Sequence, residues 1–277
     1  MKKFKYLLLE ILLVILLIPL LVSNIFIAIS AEAHKLLESY HNDNTGFESA
    51  LTIPNYTISW AIYQQLGGEE NVQARFYKLN NSEIKGTFFS QLNIPKLEKY
   101  RAFAPSLILI GPKTKNDNSN NQGLIIQNNS ATINKSNTSN RLPFHIASGY
   151  HIIKRVDYQG ITPPSIFYEP FTQTSYWERQ ALKTKLQDTG IYYIVVMNNV
   201  DSVNKNNEGK FSLAVGEVED FSLADLFILL PYTWIKVNLF FNDYLRIFVS
   251  AIIFVFIVII LPIMVIYIRK RREKIIS

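Results

Sequence analysis

Four histidines, His34, His41, His145 and His151, are the residues of this chain best suited to acid–base or metal chemistry, because imidazole changes charge near neutral pH without outside help. His34 and His41 stand seven apart, near one face of a helix if the segment is helical, and beside a candidate processing site. His145 and His151 stand six apart around Gly149, which puts them on opposite sides of a turn or strand start; a metal site there would draw on Asp157 or Glu169. A calcium ion held by loops would use Asp201 and Glu208. The carboxylate pairs Glu69-Glu70 and Glu219-Asp220 fall at turns and read as solvated charge. There is no cysteine, so no thiolate nucleophile and no disulfide framework. The chain holds no H-E-x-x-H, no G-x-S-x-G, no glycine-rich phosphate loop and no EF-hand loop, and Ser148 and Ser222 lack the flanks of a nucleophile elbow. Catalysis needs such groups clustered. The expectation is a non-enzymatic chain without a cofactor; a membrane-bound hydrolase would need a nucleophile and histidine brought together by the fold.

Recognition has more candidates than catalysis. Tyr168, Tyr176 and Trp177, with Phe171, flank a proline-containing turn and could form an exposed stacking platform for sugars. Buried rings there would remove that reading. Five N-x-S/T sequons at Asn55, Asn80, Asn128, Asn134 and Asn137 permit glycosylation of an exported chain. Tyr232, Trp234 and Tyr244 are amphipathic aromatics of the kind that favour a membrane interface.

The elements that must position these residues read as strands. In 57–63, Ile58, Trp60 and Ile62 alternate with Ser59, Ala61 and Tyr63, a period of two that suits a half-buried strand. Strands are expected at 72–79 and 85–92, with Asn80, Asn81 and Ser82 as the turn between them, and at 105–111, 149–156, 165–171, 175–186, 191–199 and 210–218. Eight to ten short strands separated by turn signals, with no interleaved helices, point to a β-sandwich. Before them, 34–50 reads as a linker with a short helix over 33–40. Residues 113–140 hold nine asparagines and four serines around one apolar island at 124–126, and read as a long solvated loop, a spacer or hairpin tip.

Both ends carry membrane signals. Residues 247–268 run 22 positions without a charge, and about 20 apolar residues cross a hydrocarbon core of about 30 Å. Pro262 lies inside this run, which membrane helices tolerate. Arg269, Lys270, Arg271, Arg272 and Lys274 follow, a cluster expected to stay in the cytoplasm. At the other end Lys2, Lys3 and Lys5 precede an apolar stretch over 6–29 and a small-x-small site at Ala31-Glu32-Ala33, so 1–33 reads as a signal peptide or uncleaved signal anchor. The formal net charge is +6, but residues 34–246 carry 20 basic against 19 acidic side chains and the flanks 8 against 3. The positive charge belongs to topology, and no nucleic-acid surface is implied. Between sandwich and anchor, 221–246 opens with Ser222 and Asp225 spaced as a capping box and continues through an apolar, aromatic run. It reads either as a broken interfacial helix with Lys236 and Arg246 toward the headgroups, or as a segment packed on the base of the sandwich.

The motif order resembles the pre-peptidase C-terminal family of extracellular β-sandwich (jelly-roll-like) modules. The matching elements are Arg75-Phe76-Tyr77-Lys78-Leu79, then Thr189-Gly190-Ile191-Tyr192-Tyr193-Ile194-Val195-Val196, then Gly209-Lys210-Phe211-Ser212-Leu213-Ala214-Val215-Gly216. More closely, the layout is similar to archaeal membrane-anchored surface proteins that carry such a domain, over residues 57–268. The resemblance implies a fold and a surface location, and it transfers no activity. The resulting expectation is a single-pass plasma-membrane protein (two-pass if the signal is uncleaved) in six parts: 1–33 signal, 34–50 linker, 51–220 sandwich, 221–246 juxtamembrane segment, 247–268 transmembrane helix and 269–277 cytoplasmic tail. Its partners would be membrane lipid and a neighbouring envelope or membrane protein. The alternative is a carbohydrate- or calcium-binding surface module.

Overall fold

The computed structural model describes residues 34–39, 43–69, 71–82, 87–113, 142–158, 165–169, 172–198, 208–222 and 224–276. The signal segment 1–33, most of the Asn-rich insert, and with them His41, Glu70, Asn128, Asn134, Asn137, Phe171 and Asp201, lie outside the described residues.

The chain is mostly β, in two sheets packed face to face. Eleven strands occur in the order β1 (Lys35–Leu36), β2 (Leu51–Ile53), β3 (Trp60–Leu66), β4 (Ala74–Asn81), β5 (Thr87–Pro95), β6 (Ser106–Pro112), β7 (Tyr150–Val156), β8 (Ile166–Glu169), β9 (Thr174–Lys185), β10 (Gly190–Met197) and β11 (Gly209–Val215). The first sheet runs β1-β3-β11-β5-β9-β8 and the second β2-β4-β10-β6-β7. The pairing has a simple logic. β3 pairs with β11, β4 with β10, β5 with β9 and β6 with β7, all antiparallel. The first half of the chain therefore pairs with the second half in reverse order, as one long ribbon. Rolling that ribbon up brings β11 beside β5 and β10 beside β6. This is the winding of a jelly roll. The insert between β6 and β7 connects two paired neighbours, so its ends sit at a hairpin position.

Period-two patterning explains the core. From β5, Phe88, Leu92 and Ile94 face inward to meet Ile62, Leu66, Tyr77, Leu107, Leu109, Ile194, Phe211 and Leu213. β6 is buried along nearly its whole length, which is why its sequence is an unbroken apolar run instead of an alternating one. A second apolar layer covers the outside of the other sheet, where Phe47 meets Phe76 and Tyr193 at ring-centroid distances of 4.9 Å each.

Three expectations need correction. Lys35 and Leu36 are not helical but extended, paired parallel to β3, because their backbone closes the open edge of that strand. Asn81 is not a turn residue: it ends β4 fully buried, accepting from the Tyr56 hydroxyl at 2.8 Å and donating to the Asp188 carbonyl at 2.6 Å. β4 and β5 lie in different sheets, so a tight hairpin cannot join them.

After β11 the chain turns helical. Ser222 and Asp225 form the expected capping box, the Ser222 amide donating to Asp225 Oδ2 at 2.8 Å and the Asp225 amide to Ser222 Oγ at 3.2 Å. The Ser222 amide first, and then the Ser222 hydroxyl at 2.9 Å from Asp225 Oδ2, hold the Asp225 carboxyl below its usual range. A π-helical turn, Asp225–Leu229, leads into α1 (Leu230–Phe240); after a corner at Asn242, with φ 61°, come α2 (Tyr244–Val255), a second π turn Phe256–Ile260, and α3 (Leu261–Ile276). Both π turns end two residues before a proline, Pro231 and Pro262. Proline lacks an amide hydrogen and its ring crowds the carbonyl four residues back; a wider turn relieves both problems without ending the helix. Among the described residues no helix taken singly is long and apolar enough to cross a membrane.

Candidate functional site, an acceptor-lined cavity on the outer sheet face

The outward side chains of the β1-β3-β11-β5-β9-β8 sheet form two neighbouring clusters, one closed and one open. The closed one lies under the first helix. Phe241 meets Tyr63 and Tyr176 at 6.1 and 6.2 Å, and Phe240 meets Tyr63 at 6.1 Å. Lys210 Nζ donates to the Phe240 carbonyl. Val237 and Asn238 are buried. Arg246 donates to the Gln173 carbonyl at 3.0 Å, and the Tyr232 hydroxyl donates to Glu38 at 2.7 Å. Beneath these rings sits the Glu169 carboxyl, accepting from the Tyr63 hydroxyl at 3.1 Å and from Thr172 Oγ1 at 3.4 Å. Burial raises its pKa to about 7, against the pull of those two hydrogen bonds. The same burial, with the nearby carboxylate, pushes Tyr63 and Tyr176 well above the usual tyrosine range.

The open cluster is a cavity of about 280 Å³ lined by His34, Ser59, Phe89, Gln91, Asn93, Phe167, Glu178, Gly216, Glu217 and Glu219. Its residues come from the start of the described chain and from strands distant in sequence. Asn93 faces outward by the alternation of β5, and an extra residue on β9, Arg179, between the pairs Leu92–Gln180 and Asn93–Glu178 brings Glu178 opposite it. Gln91 donates to Glu178 Oε1 at 2.9 Å, and Ser165 Oγ donates to Glu178 Oε2. Lys183 Nζ lies 2.7 Å from Glu217 Oε1. His34 Nδ1 shares a hydrogen bond with Ser59 Oγ, and burial lowers its pKa to about 4, so the ring is neutral at pH 7. Gly216 is required where it stands: its φ is +80°, and a Cβ would meet the Ile58 carbonyl oxygen at 2.2 Å. Asn93 is 5 % exposed and its Oδ1 has no hydrogen-bond partner.

Several expected groupings do not form. Tyr168 and Trp177 do not share a platform with Tyr176: Tyr176 is buried on the outer face under Phe241, and the adjacent Trp177 points to the opposite face and packs on the core. Only Tyr168 is substantially exposed. His145 and His151 do not meet Glu169, since β7 and β8 belong to different sheets, and Asp157 is taken by Arg155 at 2.9 Å and by Ser106 Oγ. Glu208 accepts from Gln65 at 3.1 Å. Among the described residues no three histidine, aspartate or glutamate side chains gather to hold a metal ion. Asn55 and Asn80 are exposed. Tyr232 and Tyr244 are exposed and Trp234 is half-buried, on a segment whose other side packs against the sandwich. The cavity was not anticipated. Glu219 reads from the sequence as solvated charge, and nothing in the sequence joins Asn93 to Glu178 or Glu217. The available signal was the alternation in β5, where Phe89, Gln91 and Asn93 stand between core residues.

The chain matches no known family profile and no curated protein.

Proposed function

We propose that the protein is a non-enzymatic, membrane-anchored cell-surface module, whose sandwich stands outside the membrane and binds a small ligand or a neighbouring envelope protein. The observation that carries this reading is the helical backbone after the sandwich. α2, the π turn and α3 follow one another without a gap. At 1.5 Å per residue, positions 247–268 give about 33 Å of helix, against a hydrocarbon core of about 30 Å. Phe248, Ile252, Phe254, Ile263 and Ile266 stay exposed around it, uncovered by any other apolar side chain among the described residues. The basic cluster from Arg269 supplies the cytoplasmic stop. The jelly-roll winding agrees with the resemblance to pre-peptidase C-terminal modules, and the apolar segment 1–33 with export.

Alkaline carbonate extraction of membranes tests the anchor. The full chain stays with the membrane pellet, whereas a chain ending before Ile247 and lacking 1–33 is released. Release of the full chain would end the reading. Mild-detergent purification then separates the two binding readings by whether a partner protein remains in constant ratio. The cavity favours the small-ligand reading, because its wall offers acceptor oxygens and two phenyl rings, Phe89 and Phe167.

A further inference from the structure

The helix α1 lacks the charged outer face of an ordinary surface helix. Its one charged side chain is Lys236. On one side Val237 is buried, and Phe240 and Phe241 pack on Tyr63 of the sandwich. Away from it, Ile228 in the π turn and Ile235 and Leu239 in α1 are 73 %, 44 % and 42 % exposed. A helix with apolar residues on both faces buries both, and the sandwich covers only one. The polar groups lie at the seam. Lys236 Nζ stands 3.3 Å from Glu38 Oε1, which also accepts from the Tyr232 hydroxyl. With Lys35 Nζ 3.5 Å from Asp225 Oδ2, the segment is tied to the sandwich along its length.

Its place in the chain says what covers the second face. Asp243, at the corner, precedes Ile247 by four residues, about 6 Å of helix at 1.5 Å per residue. One headgroup layer is of the same thickness, since a bilayer of about 40–45 Å encloses a core of about 30 Å. Arg246 holds this short connection against the sandwich, donating to the Gln173 carbonyl at 3.0 Å and to Asn238 Oδ1 at 3.4 Å. α1 therefore leaves the corner at headgroup depth, and Leu245 and Phe248, both exposed, continue the apolar surface on the span side of it. We propose that α1 is a two-faced interfacial helix. One face packs on the sandwich, while Ile228, Ile235 and Leu239 enter the boundary between lipid headgroups and acyl chains. The sandwich is then seated on the bilayer at a fixed height, with no free tether. This inference rests on the membrane-anchor reading, and the experiment reports on the two separately.

The chain has no cysteine, so single nitroxide labels can be placed without background. Full-length protein in nanodiscs carries the label at Ile235→Cys, Leu239→Cys, Ile252→Cys in the span or Asn55→Cys on the sandwich. Power-saturation spectroscopy compares relaxation by oxygen, which concentrates in lipid, with relaxation by a water-soluble nickel chelate. Labels at Ile235 and Leu239 relax more with oxygen than with nickel, the reverse of the order at Asn55. Ile252 reports the anchor alone. Nickel-dominated relaxation at Ile235 and Leu239, with Ile252 in lipid, would overturn this proposal and leave the anchor standing; nickel-dominated relaxation at Ile252 would overturn both. Exclusion of both relaxants from Ile235 and Leu239 would mean a protein partner on this face. Dipolar broadening that disappears on dilution with unlabelled chain would mean a second copy. Either result would also overturn the proposal.

Discussion

Two buried groups on one sheet face titrate in opposite directions over the same pH range, so each hides part of the other. Glu169 moves from an ordinary value of 4.5 to about 7, so between those values the folded state holds a proton that the unfolded state has lost. Its contribution is fully present below 4.5 and disappears as pH rises through about 7. At about 1.4 kcal/mol per pH unit, that interval amounts to about 3 kcal/mol. His34 moves from 6.5 to about 4, so the unfolded state holds the extra proton, and stability falls as pH drops through that window. Its full interval would also amount to about 3 kcal/mol, but the ring keeps some solvent contact at the cavity and its share is smaller. The assay is thermal unfolding of full-length protein in nanodiscs, followed by near-UV circular dichroism from pH 4 to 8. The wild type loses stability with rising pH between 4.5 and 6.5, but less steeply than a protein without His34. Glu169→Gln gains stability with rising pH, and His34→Asn loses it. A difference of about 3 kcal/mol corresponds to about 6–12 °C in Tm for a domain of this size. Single variants whose profiles run parallel to the wild type would refute the reasoning.

Other outcomes follow from the same geometry. Gly216→Ala drives a Cβ into the Ile58 carbonyl at a left-handed backbone position, so it lowers stability by about 2 kcal/mol or more, read as a fall in Tm. Asn93→Leu removes an unpaired buried acceptor and leaves Tm unchanged or raised. Phe241→Ala uncovers Tyr63 and Tyr176, costing about 2 kcal/mol because the ring is only partly buried. It also speeds hydrogen exchange in α1 while the amides of β6 and β10 stay protected.

The strands were legible because a two-residue period and a continuous apolar run are both imposed by burial. The stretch 149–156 became β7, 191–199 became β10 and 210–218 became β11, each within three residues. The capping box was legible for a similar reason, since Ser222 and Asp225 lie three apart and need no partner elsewhere. What escaped is non-local. β1 and β2 are two and three residues long and exist only because β3 and β4 offer open edges to them. Adjacent rings in 176–177 look alike in composition, yet the strand sends one outward beneath Phe241 and the other into the core. The juxtamembrane segment was open between lipid and sandwich; Phe240 and Phe241 pack on the sandwich, while Ile235 and Leu239 remain exposed. The cavity depends on a register break that brings Asn93 and Glu178 together from positions 85 apart, and no local pattern encodes such a meeting.

The central claim is orientation: sandwich outside, basic tail inside. The chain has no cysteine, so single cysteines can report it without background. Asn55→Cys places a thiol on an exposed loop of the sandwich, and Ser277→Cys places one in the tail. On intact cells a membrane-impermeant maleimide labels Asn55→Cys at once and reaches Ser277→Cys only after the membrane is permeabilised. Labelling of Ser277→Cys on intact cells, with Asn55→Cys protected, would contradict the account.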